Sequence, residues 1–270
     1  MTVLEPVAAL PLDDARRLVD DERAHIDEKL AAFDRFADGV RRLATDSPPS
    51  IQSTPAGTGS PGSISAAVGG QPSGDDTTRQ VRSLFAETVR PYSIEDVDEP
   101  EPLLVTVREE LSPEIALAVA PSTDRAFTPD LRAAICAAVD LSQAELRAMR
   151  QGLDTEADSL RAADDLRTEL LDWIDARPPC SEQGFEALRR RHERLDGVRQ
   201  QCDTLAADRQ STLRGTTNYT ATASLSQQLL VEYLYQPLAV DYPVLSVAAR
   251  LTDSCESRQR TVRHYLTQRV

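Results

Sequence analysis

The stretch LDDARRLVDDERAHIDEKLAAFDRFADGVRRLA, residues 12–44, decides the fold. Leu12, Val19, Ile26, Phe33 and Val40 recur every seven residues, and Leu30, Ala37 and Ala44 fill the complementary heptad place four residues on. That repeat makes a continuous apolar seam along a helix, the signature of bundle or coiled-coil packing. Asp13 and Asp14 suit the N-cap and first turn, where negative charge meets the positive helix end. A seam of this size is not stable in water by itself and requires a partner helix, either in cis or in trans.

The same stretch carries Glu22 and His25 in the order Glu-x-x-His, a ligand pattern of di-iron sites in four-helix bundles. Such a centre needs the pair twice. The other histidines, His192 and His264, have Arg189 and Thr261 three residues before them, so the second pair is missing. His25 lies beside Ile26 on the flank of the seam, where a half-exposed polar residue is expected. No metal ligand is assigned.

Residues 47–76, SPPSIQSTPAGTGSPGSISAAVGGQPSGDD, have no aromatics and no apolar period. A segment that poor in apolar surface cannot offset its ordering entropy, so the sequence predicts a disordered linker over 47–77. It separates an N-terminal long amphipathic helix, residues 1–46, from a helical bundle over 78–270. Helical pattern resumes at TTRQVRSLFAETV (77–89), and shorter helices are expected at 102–111, 113–119 and 129–139. Ser112, Pro113 and Glu114 read as an N-cap with proline at the first helical position.

A long helix is then predicted from Ser142, with Glu145 completing a capping box, to about 176, where Pro178 and Pro179 stop it. A second runs over about 181–213, with Leu188, Leu195, Val198, Cys202 and Leu205 inward and Gly215 as the stop. Together they form an αα-hairpin over about 142–213. TTNYTATAS (216–224) reads as a polar connection, LSQQLLVEYLYQPL (225–238) as a short helix, and about 242–267 as the C-terminal helix. At ~1.5 Å rise per residue, the four long helices each span roughly 40–50 Å. Rods with one apolar stripe bury it best side by side, and no segment alternates with period two. The expected fold is all-α, an elongated bundle of long antiparallel helices with coiled-coil-like packing.

The chain has 270 residues and a net charge of −14, from 44 acidic and 30 basic side chains. Lys29 is its only lysine. Depleting lysine while accumulating aspartate suits a surface kept hydrated in concentrated salt, which makes apolar stems more costly to expose. A GC-rich genome also converts lysine codons to arginine codons, and a haloarchaeal cytoplasm satisfies both causes. Acidity argues against nucleic-acid and anionic-membrane partners, although molar salt shortens the Debye length to roughly 3 Å and weakens that inference.

The start, MTVLEPVAALPLDDARR, lacks a basic n-region and is broken by Glu5, Pro6 and Pro11, a poor signal peptide. No run of about 18 apolar residues occurs, so the expectation is a cytoplasmic protein with no membrane partner. Cys136, Cys180, Cys202 and Cys255 are scattered with no C-x-x-C pair, which fits reduced thiols better than a disulfide framework or zinc knuckle.

RRRHER, residues 189–194, is the strongest basic cluster. It reads either as a phosphate or acidic-partner contact, or as arginines paired with carboxylates such as Glu186 and Glu193 at helical spacing; the second is favoured. A helix-turn-helix is conceivable in TPDLRAAICAAVDLSQAELRAMRQGL (128–153), but only Gln143 suits the start of a recognition helix. There is no G-x-S-x-G, P-loop or dinucleotide glycine pattern, and Cys255 and His264 are too far apart on one helix to hydrogen-bond. No catalytic, cofactor-binding or metal residue is assigned, and no cofactor is expected.

VEYLYQPLAVDYPVLSVAARLTDSCESRQRTVRHYL (231–266), together with DDARRLVDDERAHIDEKLAAFDRFADGV (13–40), resembles an uncharacterised haloarchaeal all-helical family catalogued as a domain of unknown function. The matching pieces cover both ends of the chain and little of the middle. The resemblance implies a helical fold and a haloarchaeal origin, and brings no activity, cofactor or site residue. The functional expectation is a non-catalytic cytoplasmic scaffold or protein-interaction domain, self-associating or binding an unknown protein through the heptad seam. The alternative is a DNA-associated transcriptional regulator.

Overall fold

A computed structural model describes residues 12–45, 74–93, 101–123, 125–220 and 223–268. Most of the expected linker and the extreme termini lie outside the described residues. Eight α-helices occur among them: α1 (Leu12–Arg42), α2 (Gly74–Thr88), α3 (Leu103–Glu110), α4 (Pro113–Ala118), α5 (Pro129–Asp175), α6 (Phe185–Arg214), α7 (Gln227–Leu234) and α8 (Pro243–Thr267). The fold is all-α, with helices packed on one another. One short antiparallel ribbon, Thr216–Thr220 (β1) with Ala223–Ser226 (β2), occupies the segment the sequence marks only as a polar connection. Threonine in its first strand favours extended backbone, and the segment carries no sustained apolar–polar alternation in sequence that would announce it.

The chain divides into two compact units: His25–Leu146, and Met1–Ala24 with Arg147–Val270. Helices α1 and α5 each contribute a segment to both. Every first-series heptad position of the seam, Leu12, Val19, Ile26, Phe33 and Val40, is at most 1% exposed. Of the second series, Ala37 is buried, Leu30 is half-buried and Ala44, beyond the end of α1, is exposed, so the seam up to Val40 finds most of its cover within the chain.

In the His25–Leu146 unit, the core gathers Phe33, Phe36 and Val40 of α1 with Val81 and Phe85 of α2, Val107 of α3, Ile115 of α4, and Ile135 and Val139 of α5. Phe36 and Phe85 meet edge to face, ring centroids 5.5 Å apart, the arrangement that the aromatic quadrupole favours. A Cβ at Gly39 would lie 3.0 Å from Leu84 Cδ1, so the glycine permits the close approach of α1 and α2. Around this core the polar groups are tied. Lys29 Nζ meets Glu110 Oε1 at 2.7 Å, Gln143 Nε2 donates to Asp34 Oδ1 at 2.7 Å, and Ser112 Oγ accepts from Ile115 N as the expected N-cap of α4. Thr77 and Thr78 are only 2% exposed, which explains why α2 begins at Gly74, inside the segment expected as linker.

The sequence predicts a break between helices at 139–142, and none exists. Pro129–Asp175 is one helix of 47 residues. Ser142 does not cap a helix start: its Oγ donates back to Ala138 O at 3.1 Å and across to Glu110 O at 2.6 Å. A serine whose hydroxyl is satisfied in this way is tolerated in mid-helix, and no Gly or Pro lies nearby to force a turn. The capping box at Ser142 and Glu145 is therefore corrected. The helix-turn-helix considered over 128–153 falls with it, because its turn is helical.

In the other unit, α5 and α6 form the expected hairpin, turned by Pro178, Pro179 and a 3₁₀ turn at Cys180–Glu182, and α8 lies along α6. Two charged residues occupy apolar stripes. Glu156 falls in the buried series Leu153, Glu156, Leu160, Ala163, and Arg209 follows Leu195, Val198 and Cys202 on α6. Arg209 Nη2 donates to Glu156 Oε1 at 2.8 Å, Nη1 lies 2.7 Å from Oε2, and the Tyr235 hydroxyl donates to Oε1 at 2.6 Å. Burial first, and the Glu156 carboxylate second, push the Tyr235 phenol far above its ordinary range.

All four cysteines are free thiols, with Cys202 and Cys255 buried and Cys136 and Cys180 half-buried. Burial, reinforced by Cys202, pushes the Cys255 thiol from an ordinary 9.0 up to about 12. A folded-state value raised above the unfolded one gives stability that is full below about pH 9 and is lost as pH rises towards 12. Tyr235 acts in the same sense. The urea midpoint is therefore expected to fall steadily above pH 9, and Cys255→Ala to flatten that decline although it lowers the midpoint at neutral pH. A midpoint independent of pH across that window would contradict the burial of these groups. Among the described residues, no helix is long and apolar enough to cross a membrane.

Candidate anion-binding cleft

Helix α5 ends at Asp175 because Pro178 and Pro179 lack the N–H groups needed to continue it. Trp173, the sole tryptophan, lies in its last turn, and Arg177 follows. The chain reverses through a turn fastened at one carbonyl, that of Pro178, which accepts from Gln183 Nε2 at 2.6 Å and Arg191 Nη1 at 3.0 Å. Gly184 then caps α6, whose early turns present Arg190, Arg191 and Arg194. The hairpin thus brings Arg177 from one arm and three arginines from the other around Trp173. They line a cleft of about 350 Å³, with Pro178, Gln183 and Ala187 completing its wall.

The guanidinium carbons of Arg177 and Arg191 lie 5.5 and 5.9 Å from the Trp173 ring centroid. This is cation–π range, and it holds the flat guanidinium groups against the indole instead of leaving them to roam in solvent. Carboxylates answer only part of the charge. Glu169 on α5 pairs with Arg194. Among the described residues, Arg177, Arg190 and Arg191 have no carboxylate partner. Behind the cleft, burial first and then the neighbouring charge of Arg191 pull the Arg258 guanidinium below its ordinary range, while Asp175 works against the shift. The Nε atoms of Arg191 and Arg258 are buried without a hydrogen-bond partner. The Nε atoms of Arg23, Arg90, Arg199 and Arg209 share this feature, so it does not single out the cleft.

A second depression, about 190 Å³, shows what an ordinary arginine-rich surface of this protein looks like. There Arg16 meets Asp164 at 2.8 Å, Arg23 meets Asp154 at 2.8 Å and Arg161 meets Asp158 at 2.6 Å. Each cation has its anion. Burial raises the Asp164 carboxyl, but hydrogen bonds from Arg167 and Arg16 outweigh it and hold the group below its usual value. That depression is neutralised, and the Trp173 cleft is not.

The basic cluster at 189–194 therefore divides. Arg189 behaves as a surface arginine, paired with Glu186 at 3.2 Å and Glu193 at 3.6 Å. Arg190 and Arg191 turn instead to the cleft. His192 carries its Nε2 3.3 Å from Arg263 Nη1. The other sequence candidates stay apart from this place: His25 is half-buried and edge-on to Tyr92, centroids 6.4 Å apart. Among the described residues no three His, Cys, Asp or Glu side chains converge in a way that could hold a metal ion. Trp173 and Arg177 were not marked by the sequence, although a lone tryptophan next to an Arg-Pro-Pro turn was the available signal.

No curated protein and no solved structure matches the sequence. A family-level match described as Domain of unknown function (DUF7260) runs over residues 10–259. It takes in α1, the whole α5–α6 hairpin with its cleft, and most of α8. On that coverage the chain belongs to the family of the domain of unknown function DUF7260.

Proposed function

We propose that this protein is a non-catalytic helical scaffold or interaction domain of a halophilic archaeon's cytoplasm, and that it recognises its partner through the Trp173 cleft. The observation that carries the reading is the convergence of Arg177, Arg190 and Arg191, without carboxylate partners, on a chain of net charge −14. Guanidinium groups keep their protons at any physiological pH, so they recognise and orient anions but do not shuttle protons. That chemistry favours binding over catalysis. The heptad seam is expected to need cover in cis or in trans; Leu12, Val19, Ile26, Phe33 and Val40 are buried within this chain, which favours the cleft over the seam for contact in trans. The halophilic part of the reading rests on the sole lysine. Its ammonium is withdrawn into an ion pair with Glu110, so the surface charge is carried by carboxylates and arginines.

A photo-crosslinking residue at Ala187, which lines the cleft, tests the reading in native extract at molar KCl. Discrete adducts are expected, and they should vanish when Arg177→Glu and Arg190→Glu are combined. Adducts that persist in the double variant, or none from either protein, would remove the cleft as the contact surface.

A further inference from the structure

We propose that the Trp173 cleft is a binding site for an oligophosphate anion, either free or carried on a nucleotide. The proposal deepens the reading of the cleft as the recognition surface and rests on it. Four side chains of the lining bear guanidinium. The planar fork of guanidinium matches two oxygens of one phosphate at once, whereas an ammonium acts as a point charge. After Glu169 has taken Arg194, Arg177, Arg190 and Arg191 leave a local excess that a ligand of several negative charges would match. A single carboxylate would leave most of it unanswered.

Size argues in the same direction. About 350 Å³ lies at the small end of ligand-binding cavities, enough for a di- or triphosphate and part of a nucleoside. A nucleic-acid duplex needs a basic track along many phosphates, and Arg189 next door is already neutralised by Glu186 and Glu193. Fixation matters as well. Arg191 is held by the Pro178 carbonyl and by Trp173, so its side-chain entropy is spent before a ligand arrives.

Isothermal titration of the full chain with inorganic triphosphate, with ADP and with citrate, at low and at molar KCl, tests the assignment. Saturable binding of triphosphate or ADP is expected, weaker in high salt, with citrate much weaker. Arg190→Ala should weaken phosphate binding by about 10- to 100-fold, the usual worth of a hydrogen bond to a charged group. Arg189→Ala should change nothing, and because both arginines are exposed, unchanged circular dichroism checks that the variants are folded. Tighter binding of ADP than triphosphate would assign the nucleotide form, and the reverse would assign the free anion. Citrate binding as well as triphosphate would overturn the phosphate assignment and leave anion recognition standing. No binding by any of the three, or binding indifferent to Arg190→Ala, would overturn the proposal, and the crosslinking result then decides whether the cleft has any partner.

Discussion

Replacing Arg209 by methionine is expected to destabilise the protein by about 3–5 kcal/mol, read as a drop in the urea or thermal midpoint, because it strands a buried carboxylate. Glu156 is 0% exposed and Arg209 2%. With the guanidinium gone, only the Tyr235 hydroxyl still donates to the carboxylate. Water cannot replace the lost donors without opening the stripe formed by Leu153, Leu160 and Ala163. Removing the charges together has a different expected result. In Glu156→Leu combined with Arg209→Met and Tyr235→Phe, no buried charge or orphaned hydroxyl remains, and stability should return to near the wild type or exceed it. The contrast separates the cost of a widowed charge from the net worth of the pair. A single Arg209→Met variant within about 1 kcal/mol of wild type would mean that the group is hydrated in solution.

The second large effect is expected at Phe85. Truncation to alanine removes a ring that is 0% exposed and in edge-to-face contact with Phe36. Loss of transfer energy plus the cavity left behind amounts to about 3–5 kcal/mol for a fully enclosed phenylalanine. Five helices meet in this core, and Gly39 already brings α1 close against Leu84, which leaves the site little room to close up. Leu117, 59% exposed in the same unit, serves as the control: its alanine variant should stay within about 0.5 kcal/mol of wild type. Hydrogen exchange would show whether the loss at Phe85 stays within His25–Leu146 or spreads along α1 and α5, which run on into the other unit.

Periodicity made some of this structure readable. Leu12, Val19, Ile26, Phe33 and Val40 are buried where the heptad placed them, and the Ser112 cap and the Pro178–Pro179 turn are where local chemistry puts them. What failed was a local signal overruled by a distant partner. Ser142 carries the letters of an N-cap, but Glu110, on a separate helix, offers its carbonyl, and the helix runs through. The Glu156–Arg209–Tyr235 group was hidden for a related reason: its members come from α5, α6 and the cap that ends α7, and each alone looks like a polar residue of an acidic chain. The available clue was a charge standing in an apolar series, at Glu156 between Leu153 and Leu160. The cleft was half visible. RRRHER announced positive charge, but which of its arginines would be neutralised depended on helix phase, and the approach of Trp173 depended on how the proline turn folds back.

The proposed role of the guanidinium groups gathered at Trp173 is to hold an anion. Because Trp173 is the only tryptophan, emission excited at the red edge, beyond the absorption of the six tyrosines, reports on this cleft. Titrating inorganic triphosphate should produce a saturable change in its emission that Arg190→Glu abolishes and Arg189→Glu leaves intact. Emission that does not respond to triphosphate, or responds equally in both variants, would contradict the claim.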